Sequence, residues 1–321
     1  MITYALITLA VLIVLELAYF AVAKHFNIVD RPNERSSHHK EVLLGGGVIF
    51  FLSVAYYFFT HQFAFPLFFT GLALLTVISF VDDLRGLSSW LRLLAQLGAI
   101  SVAFYLQLNG IDLWKIILIV IVFTGILNVY NFMDGINGML AAYSLVVMGT
   151  FGYIELFELH FVDPAFLLTL MLAVLVFGFF NFRRQARCFS GDVGSIAMGF
   201  ITLFLLVSFV KASPSASPSV SYLTLIIVFL ADGVLTITKR FLTGKNIFEP
   251  HREHLYETLV NELKVPHIAV SSGYAVLQFV INVGYFIVAD KNLYCFVCTV
   301  LLVLAYGLYF FFFNRKMAAE K

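Results

Sequence analysis

The stretch "WKIILIVIVFTGILNVYNFMDGINGM" (residues 114–139) decides the fold class. Its first half is apolar enough to lie in hydrocarbon, and about 20 such residues are needed to cross the core of a bilayer. Its second half brings three asparagines, an aspartate and two glycines within eleven residues. The stretch therefore predicts a membrane-spanning helix that ends in a group of polar side chains.

The rest of the chain has the composition of an integral membrane protein. Hydrophobic residues make up 61% of its 321 residues, charged residues only 12%, and there are 36 phenylalanines. Soluble domains average about 45–50% apolar and about 25% charged residues, so this composition argues against a soluble protein. We predict an all-α, polytopic membrane protein that forms a single domain over residues 1–321 and has ten or eleven spans. The candidate stretches lie near residues 3–23, 43–60, 63–81, 91–108, 113–131, 139–157, 165–181, 194–212, 220–236, 268–288 and 293–313.

The positive charges predict how the chain is oriented. If the amino terminus lies outside, seventeen of the twenty Lys and Arg residues fall on the inner side of the membrane. Cytoplasmic loops carry such an excess, so we predict an outer amino terminus and a cytoplasmic carboxy terminus. The first apolar stretch is expected to be retained as a span, because it has neither a basic leading region nor a small-residue cleavage site.

Five inner loops hold nearly every unusual polar group. They lie near residues 30–47, 81–96, 128–138, 181–195 and 237–267. Together they bring carboxylates, amides, imidazoles and guanidinium groups to one membrane face, whereas the outer loops are short and chemically plain. This layout predicts a site at the cytoplasmic face.

Aspartates are the first candidates for the chemistry of this site. Neighbouring side chains diverge by about 100° on a helix, so Asp82 and Asp83 are expected to do different work. Asp192 lies between glycines in "SGDVGS" (190–195), where its carboxylate suits Mg²⁺, a cation that prefers oxygen ligands and shares them with substrate phosphates. For each of these acids, a purely structural role as a helix N-cap is the alternative.

The opening stretch ends in a second polar group. Asn128, Asn131 and Asp134 are three residues apart, so on a helix they cover one side. Gly135 and Gly138 allow the backbone to pass close to a ligand. Capping the helix would need one asparagine rather than several polar groups, so this pattern favours a ligand site.

The last inner loop contributes basic residues. His251 and His254 flank Arg252 in "HREH" (251–254). Two imidazoles are too few for a typical zinc site, whereas imidazole and guanidinium groups together suit a phosphate or diphosphate. The alternative is a solvated basic loop at the membrane surface. Acids for Mg²⁺, bases for phosphates and amides for a polar ligand jointly indicate phosphoryl transfer.

These loops, in this order, resemble the polyprenyl-phosphate N-acetylhexosamine-1-phosphate transferase family (bacterial glycosyltransferase family 4), a relative of phospho-N-acetylmuramoyl-pentapeptide transferase. The resemblance runs from about residue 30 to 260. The matching motifs are the pair Asp82–Asp83, N-x-x-N-x-x-D-G at 128–135, G-D-x-G-S at 191–195, the histidines at 251 and 254, and R-S-S-H…G-G-G at 35–38 and 45–47.

The resemblance implies a reaction. A UDP-N-acetylhexosamine of the GlcNAc, FucNAc or QuiNAc type would donate its sugar 1-phosphate to undecaprenyl phosphate, with release of UMP. This would be the initiating step of a lipid-linked surface glycan, such as lipopolysaccharide O-antigen, at the cytoplasmic face of a bacterial inner membrane. The implied cofactor is Mg²⁺, for which Mn²⁺ can substitute. No nucleic-acid partner is expected, and a homodimer is left open.

The resemblance also implies roles for individual residues. Asp82 is favoured over Asp83 for positioning or deprotonating the lipid phosphate, and Asp192 and Asp83 are the expected metal ligands. The full catalytic set is Asp82, Asp83, Asp134 and Asp192. The expected substrate-binding set is Lys40, Asn128, Asn131, Asn137, Arg187, His251, Arg252 and His254.

The chain departs from the family pattern at three places. Asn137 stands where relatives often carry an acid, and we expect it to be a neutral hydrogen-bonding partner of the nucleotide that tolerates replacement by Asp. Arg183 and Arg184 stand where prolines are usual. "HREH" replaces the triple histidine of the muramoyl-pentapeptide branch, which favours the branch that uses simple UDP-N-acetylhexosamines.

Three alternatives remain open. The first is the muramoyl-pentapeptide transferase of peptidoglycan synthesis. The second, from another class, is a secondary transporter, whose site would lie near the bilayer midplane on broken helices with repeat symmetry. The acids here lie at helix ends on one face, and no internal repeat is evident. The third, a non-catalytic scaffold, gives no reason for five polar loops on one side.

Overall fold

The computed structural model describes residues 1–32, 40–108, 110–213, 219–246 and 251–319, with side chains at all of these except 106–108 and 312–319. Within these ranges the chain is helical apart from loops and one pair of two-residue strands. The elements are α1 (Ile2–His25), β1 (Val29–Asp30), β2 (Val42–Leu43), α2 (Val48–Thr60), α3 (Pro66–Arg85), α4 (Ser89–Leu108), α5 (Leu113–Phe132), α6 (Met139–Tyr153), α7 (Pro164–Asn181), α8 (Gly191–Ala212), α9 (Ile227–Leu242), α10 (Leu255–Asn261), α11 (His267–Ile287) and α12 (Lys291–Ala319).

The predicted all-α membrane fold is confirmed. Each of the eleven apolar stretches contains a helix, and nine helical segments of the described chain are long and apolar enough to cross a membrane. Helix α2 has 13 residues, or about 20 Å at 1.5 Å per residue, which is shorter than a bilayer core of about 30 Å. Helix α10, with seven residues, lies within the last predicted inner loop.

Helix α8 forms the centre of the helical bundle. Its residues 193–206 are all buried, whereas the outer helices α1 and α12 expose most of their apolar side chains. Aromatic rings pack around it: the ring of Phe204 stacks on that of Phe68 with centroids 4.0 Å apart. Because α8 begins at Gly191, its central position places Asp192 in the middle of the protein at one end of the bundle.

Two glycines allow α2 to cross the start of α8 in direct backbone contact. A Cβ atom added to Gly47 would lie 2.3 Å from the Cα atom of Gly194, and one added to Gly194 would lie 2.5 Å from the Cα atom of Gly47. Backbone hydrogen bonds join the preceding loops, from Gly46 N to Phe189 O (2.8 Å) and from Gly47 N to Ser190 O (3.1 Å). The glycine-rich segment therefore holds the loop that leads into Asp192.

Helices α9 and α6 are each continuous with an irregular segment inside the bundle. Near α9, a residue of α11 forms hydrogen bonds with the backbone groups that the irregular segment leaves without helical partners. A 3₁₀ segment, Val220–Ile226, leads into α9. Gln278 of α11 accepts a hydrogen bond from Val228 N (2.9 Å) and donates one to Thr224 O (2.9 Å). Backbone polar groups within a membrane must find partners inside the protein, so this glutamine fixes α11 against the irregular segment. Helix α6 continues into a π-helical turn, Ile154–Glu158.

Candidate active site

The five predicted inner loops contribute residues to one cavity of about 360 Å³. Asp30 and Leu44 come from the first loop, Asp83 from the second, and Asn131 and residues 134–137 from the third. Residues 189–192 and Ser195 come from the fourth, and Glu257 and His267 from the fifth. The motif at residues 35–38 lies outside the described residues.

Asp83 lines this cavity and also caps helix α8. Its carboxylate accepts the backbone N–H groups of Asp192 (2.8 Å) and Val193 (3.1 Å). Gly191 has a φ of +70°, and a Cβ atom there would lie 2.5 Å from Asp83 Oδ2, so both the backbone and the contact require glycine. A carboxylate at a helix N-terminus is favoured by the helix dipole. The helix-capping role and the cavity-facing role therefore belong to the same residue.

Asp82 does not line the cavity. One of its carboxylate oxygens accepts a hydrogen bond from Leu87 N in the turn that follows α3, and the other lies 3.3 Å from Arg92 Nη1. The paired acids therefore diverge as predicted, but the one that faces the cavity is Asp83. The geometry favours Asp83 over Asp82 for contact with a ligand, which reverses our preference from the sequence.

Asn131 orients the carboxylate of Asp192. Its amide Nδ2 donates to Asp192 Oδ1 (2.7 Å) and to Ser195 Oγ (3.0 Å). The other oxygen of Asp192 lies 3.7 Å from Arg92 Nη1. Asp192 and Asn131 are therefore fixed by side chains from three helices, and both line the cavity.

Asp134 completes a group of three aspartates in the cavity wall. It lies just beyond the end of α5, where its Oδ2 accepts a hydrogen bond from Ser190 Oγ. Burial, together with the negative charges of Asp192 and Asp83, raises the pKa of Asp134 well above its ordinary value. Three acids from three different segments are thus close enough to repel one another.

This donor set fits Mg²⁺. Among the described residues, no three His, Cys, Asp or Glu side chains form a group that could hold a metal by themselves. Mg²⁺, however, usually takes only one or two carboxylates and completes its shell with water and substrate phosphates. A divalent cation would offset the mutual repulsion that raises the pKa of Asp134.

The other two predicted amides have structural partners. Asn128 donates to Gln96 Oε1 (3.0 Å) and to Thr124 O (2.8 Å), and it lines a separate cavity of about 20 Å³. Asn137 lines the main cavity but is only 6% exposed. Its Nδ2 donates to the carbonyl oxygens of Arg183 (3.0 Å) and Arg184 (3.2 Å). Both amide protons of Asn137 therefore hold the neighbouring loop.

The predicted basic residues lie outside the cavity wall. Lys40 and Arg187 are exposed, and among the described residues the wall contains no Lys or Arg. His254 is 3% exposed, with Nδ1 3.3 Å from Asp232 Oδ1. His251 and Arg252 are half-buried beside it. None of these three residues lines the cavity.

His251 is neutral at pH 7. Burial, and then the nearby positive charges of His254 and Arg240, lower the pKa of His251 to about 4. Its ring stacks on that of His254, with centroids 5.1 Å apart. The permanent positive charges that act on His251 are those of Arg240 and Lys239.

Two important acids were not singled out in the sequence. Asp232 of α9 is buried and accepts hydrogen bonds from Tyr274 Oη (2.6 Å) and Leu255 N (3.0 Å). Its signal was an aspartate within the apolar run "VFLADGVL" (228–235), because an ionisable residue inside a span marks a functional site by default. Glu257 of α10 lines the cavity, and burial raises its pKa to about 7. Nothing in its local sequence indicated that position.

Comparison with known proteins supports the family resemblance. The model of glycosyl transferase family 4 matches residues 65–210, which include Asp83, Asn131, Asp134 and Asp192. The undecaprenyl-phosphate alpha-N-acetylglucosaminyl 1-phosphate transferase of Escherichia coli K12 is 24% identical over 259 residues, which cover 74% of this chain and 71% of that protein.

Two further relatives have different acceptors or substrates in their names. The decaprenyl-phosphate N-acetylglucosaminephosphotransferase of Mycobacterium leprae is 26% identical over 238 residues, covering 63% of this chain and 59% of its own. The phospho-N-acetylmuramoyl-pentapeptide-transferase of Listeria monocytogenes is 32% identical over 158 residues, covering 41% and 48%. The match of residues 65–210 to glycosyl transferase family 4 and the similarity to these relatives support the family that the motifs predicted.

Proposed function

We propose that this chain transfers an N-acetylhexosamine 1-phosphate from a UDP-linked donor to undecaprenyl phosphate and releases UMP. The observation that carries this proposal is the convergence of Asp83, Asp134 and Asp192 on one cavity at the ends of membrane helices. A water-soluble donor and a lipid acceptor meet at such a boundary. The names of the Escherichia coli and Mycobacterium leprae relatives support the same reaction class.

The reaction exchanges one phosphoanhydride bond for another. An oxygen of the lipid phosphate attacks the phosphorus that carries the sugar, and the bond from that phosphorus to the oxygen of UMP breaks. UMP leaves with the electron pair of that bond. A phosphate monoester has its second pKa at about 6, so the acceptor needs little help in losing a proton at pH 7. The residues of the chain therefore act mainly through position and electrostatics.

The three acids Asp83, Asp134 and Asp192 have roles in this scheme. Asp192 and Asp83 would hold Mg²⁺, or Mn²⁺ in its place, which when bound neutralises the charge on the leaving UMP. Asn131 keeps the carboxylate of Asp192 turned toward the cavity. Asp134 adds to the negative potential that attracts the cation. Asp83, rather than Asp82, positions or deprotonates the acceptor phosphate, because Asp83 lines the cavity.

The donor and the cellular setting are part of the proposal. The sequence "HREH" (251–254) supports a simple UDP-N-acetylhexosamine of the GlcNAc, FucNAc or QuiNAc type. Such a transfer would begin a lipid-linked surface glycan such as O-antigen. The excess of Lys and Arg in alternate loops supports an active site on the cytoplasmic face of a bacterial inner membrane.

The test is product analysis with purified protein in detergent. The protein is incubated with undecaprenyl phosphate, Mg²⁺ and, separately, UDP-GlcNAc, UDP-FucNAc, UDP-QuiNAc and UDP-MurNAc-pentapeptide. We expect mass spectrometry to detect a lipid diphosphate sugar with at least one simple UDP-N-acetylhexosamine, with one UMP released per product. Omission of undecaprenyl phosphate is the control for donor hydrolysis.

Two results would contradict the proposal. Product from UDP-MurNAc-pentapeptide alone would place the chain in peptidoglycan synthesis. No lipid-linked product from any donor, with a folded protein and both substrates present, would remove the transferase function itself.

A further inference from the structure

Two acids of the cavity wall, Asp30 and Glu257, have no part in the phosphoryl transfer described above. Glu257 lies on α10, and its carboxylate lines the same cavity as the three aspartates. The three aspartates lie at the ends of α3, α5 and α8, whereas Glu257 is carried by α10. Glu257 therefore belongs to a different part of the wall from the aspartate group.

The carboxylate of Glu257 is held in a fixed position. Its Oε2 accepts the backbone N–H of His254 (3.1 Å) in a capping box at the start of α10. Hydrogen bonds to α9 hold the same end of α10, because Asp232 accepts the N–H groups of Leu255 (3.0 Å) and Tyr256 (3.4 Å). An acid supported in this way is pre-organised for a ligand, as binding groups on rigid elements are.

A second anchor fixes α10 to the aspartate group. Tyr256 Oη donates to Phe132 O (2.7 Å), at the end of α5. The same hydroxyl would lie 2.2 Å from a Cβ atom at Gly135, so the tyrosine packs against the backbone that carries Asp134. The distance between Glu257 and the proposed phosphate site is therefore set by packing rather than by a flexible loop.

The chemistry of a carboxylate limits what it can bind. Above a pH of about 7 the carboxylate of Glu257 is mostly ionised and only accepts hydrogen bonds, and phosphate oxygens are also acceptors, so Glu257 then disfavours the diphosphate. The neutral parts of a nucleotide sugar carry hydroxyl groups, which donate. A cavity of about 360 Å³ lies within the size range of small-molecule sites and extends beyond the aspartates to Glu257.

We propose that Glu257 accepts a hydrogen bond from a hydroxyl group of the nucleotide-sugar donor, on its ribose or its hexose. The inference rests on the proposed function, because it requires such a donor. It makes Glu257 a donor-binding residue, separate from the acids that act on phosphate.

The test measures binding without turnover. Calorimetry in detergent with Mg²⁺, and without lipid acceptor, gives the dissociation constants of UMP and UDP-GlcNAc for the wild type, Glu257→Gln and Glu262→Gln. Glutamine at position 257 can still accept the N–H of His254, so α10 keeps its cap. Glu262 is exposed at the end of the same helix, which makes Glu262→Gln the matched control.

At a pH above the pKa of Glu257, which is about 7, we expect Glu257→Gln to weaken binding of UDP-GlcNAc at least tenfold, because an ionised acceptor makes a hydrogen bond roughly twice as strong as a neutral one. Glu262→Gln should bind as the wild type does. If UMP binding weakens by the same factor as UDP-GlcNAc binding, the hydroxyl belongs to the ribose. If UMP binding is unchanged, the hydroxyl belongs to the hexose. The fitted stoichiometry separates a lost contact from a lost fold, because misfolded protein lowers the stoichiometry and leaves the dissociation constant unchanged.

Two outcomes overturn the inference and can be told apart. If the wild type binds both ligands and Glu257→Gln binds them equally well, the role of Glu257 is wrong and the proposed function stands. If the wild type binds neither ligand, the proposed function fails and the inference fails with it.

Discussion

Asp83 accepts the backbone N–H of Asp192 at 2.8 Å, so an acid at the end of α3 fixes the acid at the start of α8. The two side chains then reach one cavity from helices that are far apart in the chain. In this arrangement Asp83 holds the backbone of Asp192, and both carboxylates face the cavity.

The first prediction concerns Asp192. Asp192→Asn should keep an oxygen that accepts the amide of Asn131, so the fold is retained, but it removes the charge proposed to hold Mg²⁺. We expect turnover to fall by about 10²-fold or more, the magnitude typical of losing one electrostatic contact to a transition state. UMP release at saturating substrates and low millimolar Mg²⁺ measures this. Near-normal turnover of the variant would exclude Asp192 from the site.

The second prediction concerns Asp134. Asp134→Asn keeps the shape of the side chain and its contact with Ser190 while removing the negative charge. Turnover should fall at least tenfold, which corresponds to about 1.4 kcal/mol. The measurement is the turnover rate at saturating Mg²⁺. An unchanged rate would show that the charge of Asp134 is not used.

The third prediction reverses an expectation from the sequence. Because both amide protons of Asn137 are donated to backbone carbonyls, Asn137→Asp would place a carboxylate against two acceptors. We expect the free energy of unfolding to fall by about 1–3 kcal/mol, the cost of leaving buried polar groups unpaired. Thermal unfolding in detergent measures this, with Asn246→Asp as an exposed control of the same chemical change. A variant as stable as the wild type would restore the earlier expectation that aspartate is tolerated here.

The fourth prediction concerns acid stability. Glu253 contacts Arg240 (2.6 Å), Lys245 (2.9 Å) and Lys239 (3.3 Å). Burial acts to raise the pKa of Glu253, but the hydrogen bond from Lys245 and the charge of Lys239 outweigh it and lower that pKa to about 2. A lowered pKa stabilises the folded state above the ordinary value of 4.5, and this contribution is lost as the pH falls toward 2.

As the pH falls from about 4.5 toward about 2, the melting temperature of the wild type should therefore decrease more steeply than that of Glu253→Gln. Glu262→Gln, an exposed change of the same kind, should follow the wild type. Parallel curves for the wild type and Glu253→Gln would show that these ion pairs contribute nothing to acid stability.

The fifth prediction concerns the orientation of the chain. Ser88 and Asp112 lie just before and just after the described helix α4, and both are exposed. Cysteine at position 88 should react with an impermeant thiol reagent only from the cytoplasmic side, and cysteine at position 112 only from outside. Reaction of both from one side would mean that α4 does not cross the membrane.

The sequence predicted the helices and the aspartate group because both depend on local pattern. Apolar length identifies a span, and Asp83, Asn131 and Asp192 lie at helix ends where a site can form. It did not predict which member of a polar group faces the cavity. Asp82 turns toward Arg92, and Asn128 turns toward Gln96, because those partners come from another helix.

The basic loop was the least predictable part of the site. His254 has its ring nitrogen near Asp232, a residue of a different span. That contact directs the histidine into the protein. Asp232 also accepts the N–H of Leu255, which holds the start of α10 and thereby places Glu257 in the cavity wall. No spacing within "HREHLYE" (251–257) contains that information, since it depends on an acid some twenty positions earlier.

The contact between Gly47 and Gly194 limits how this protein can change. When a large side chain enters an ordinary core, a neighbour can shrink to make room. Here each partner is already the smallest residue, and the nearest obstacle to a Cβ atom on either is the backbone of the other, followed by Ser190. A substitution at one glycine therefore has no second-site suppressor at its partner. The other way to make room for a side chain is to separate α2 from α8. That movement would displace the start of α8 from Asp83. At these two positions, lost activity is expected to return only by reversion to glycine.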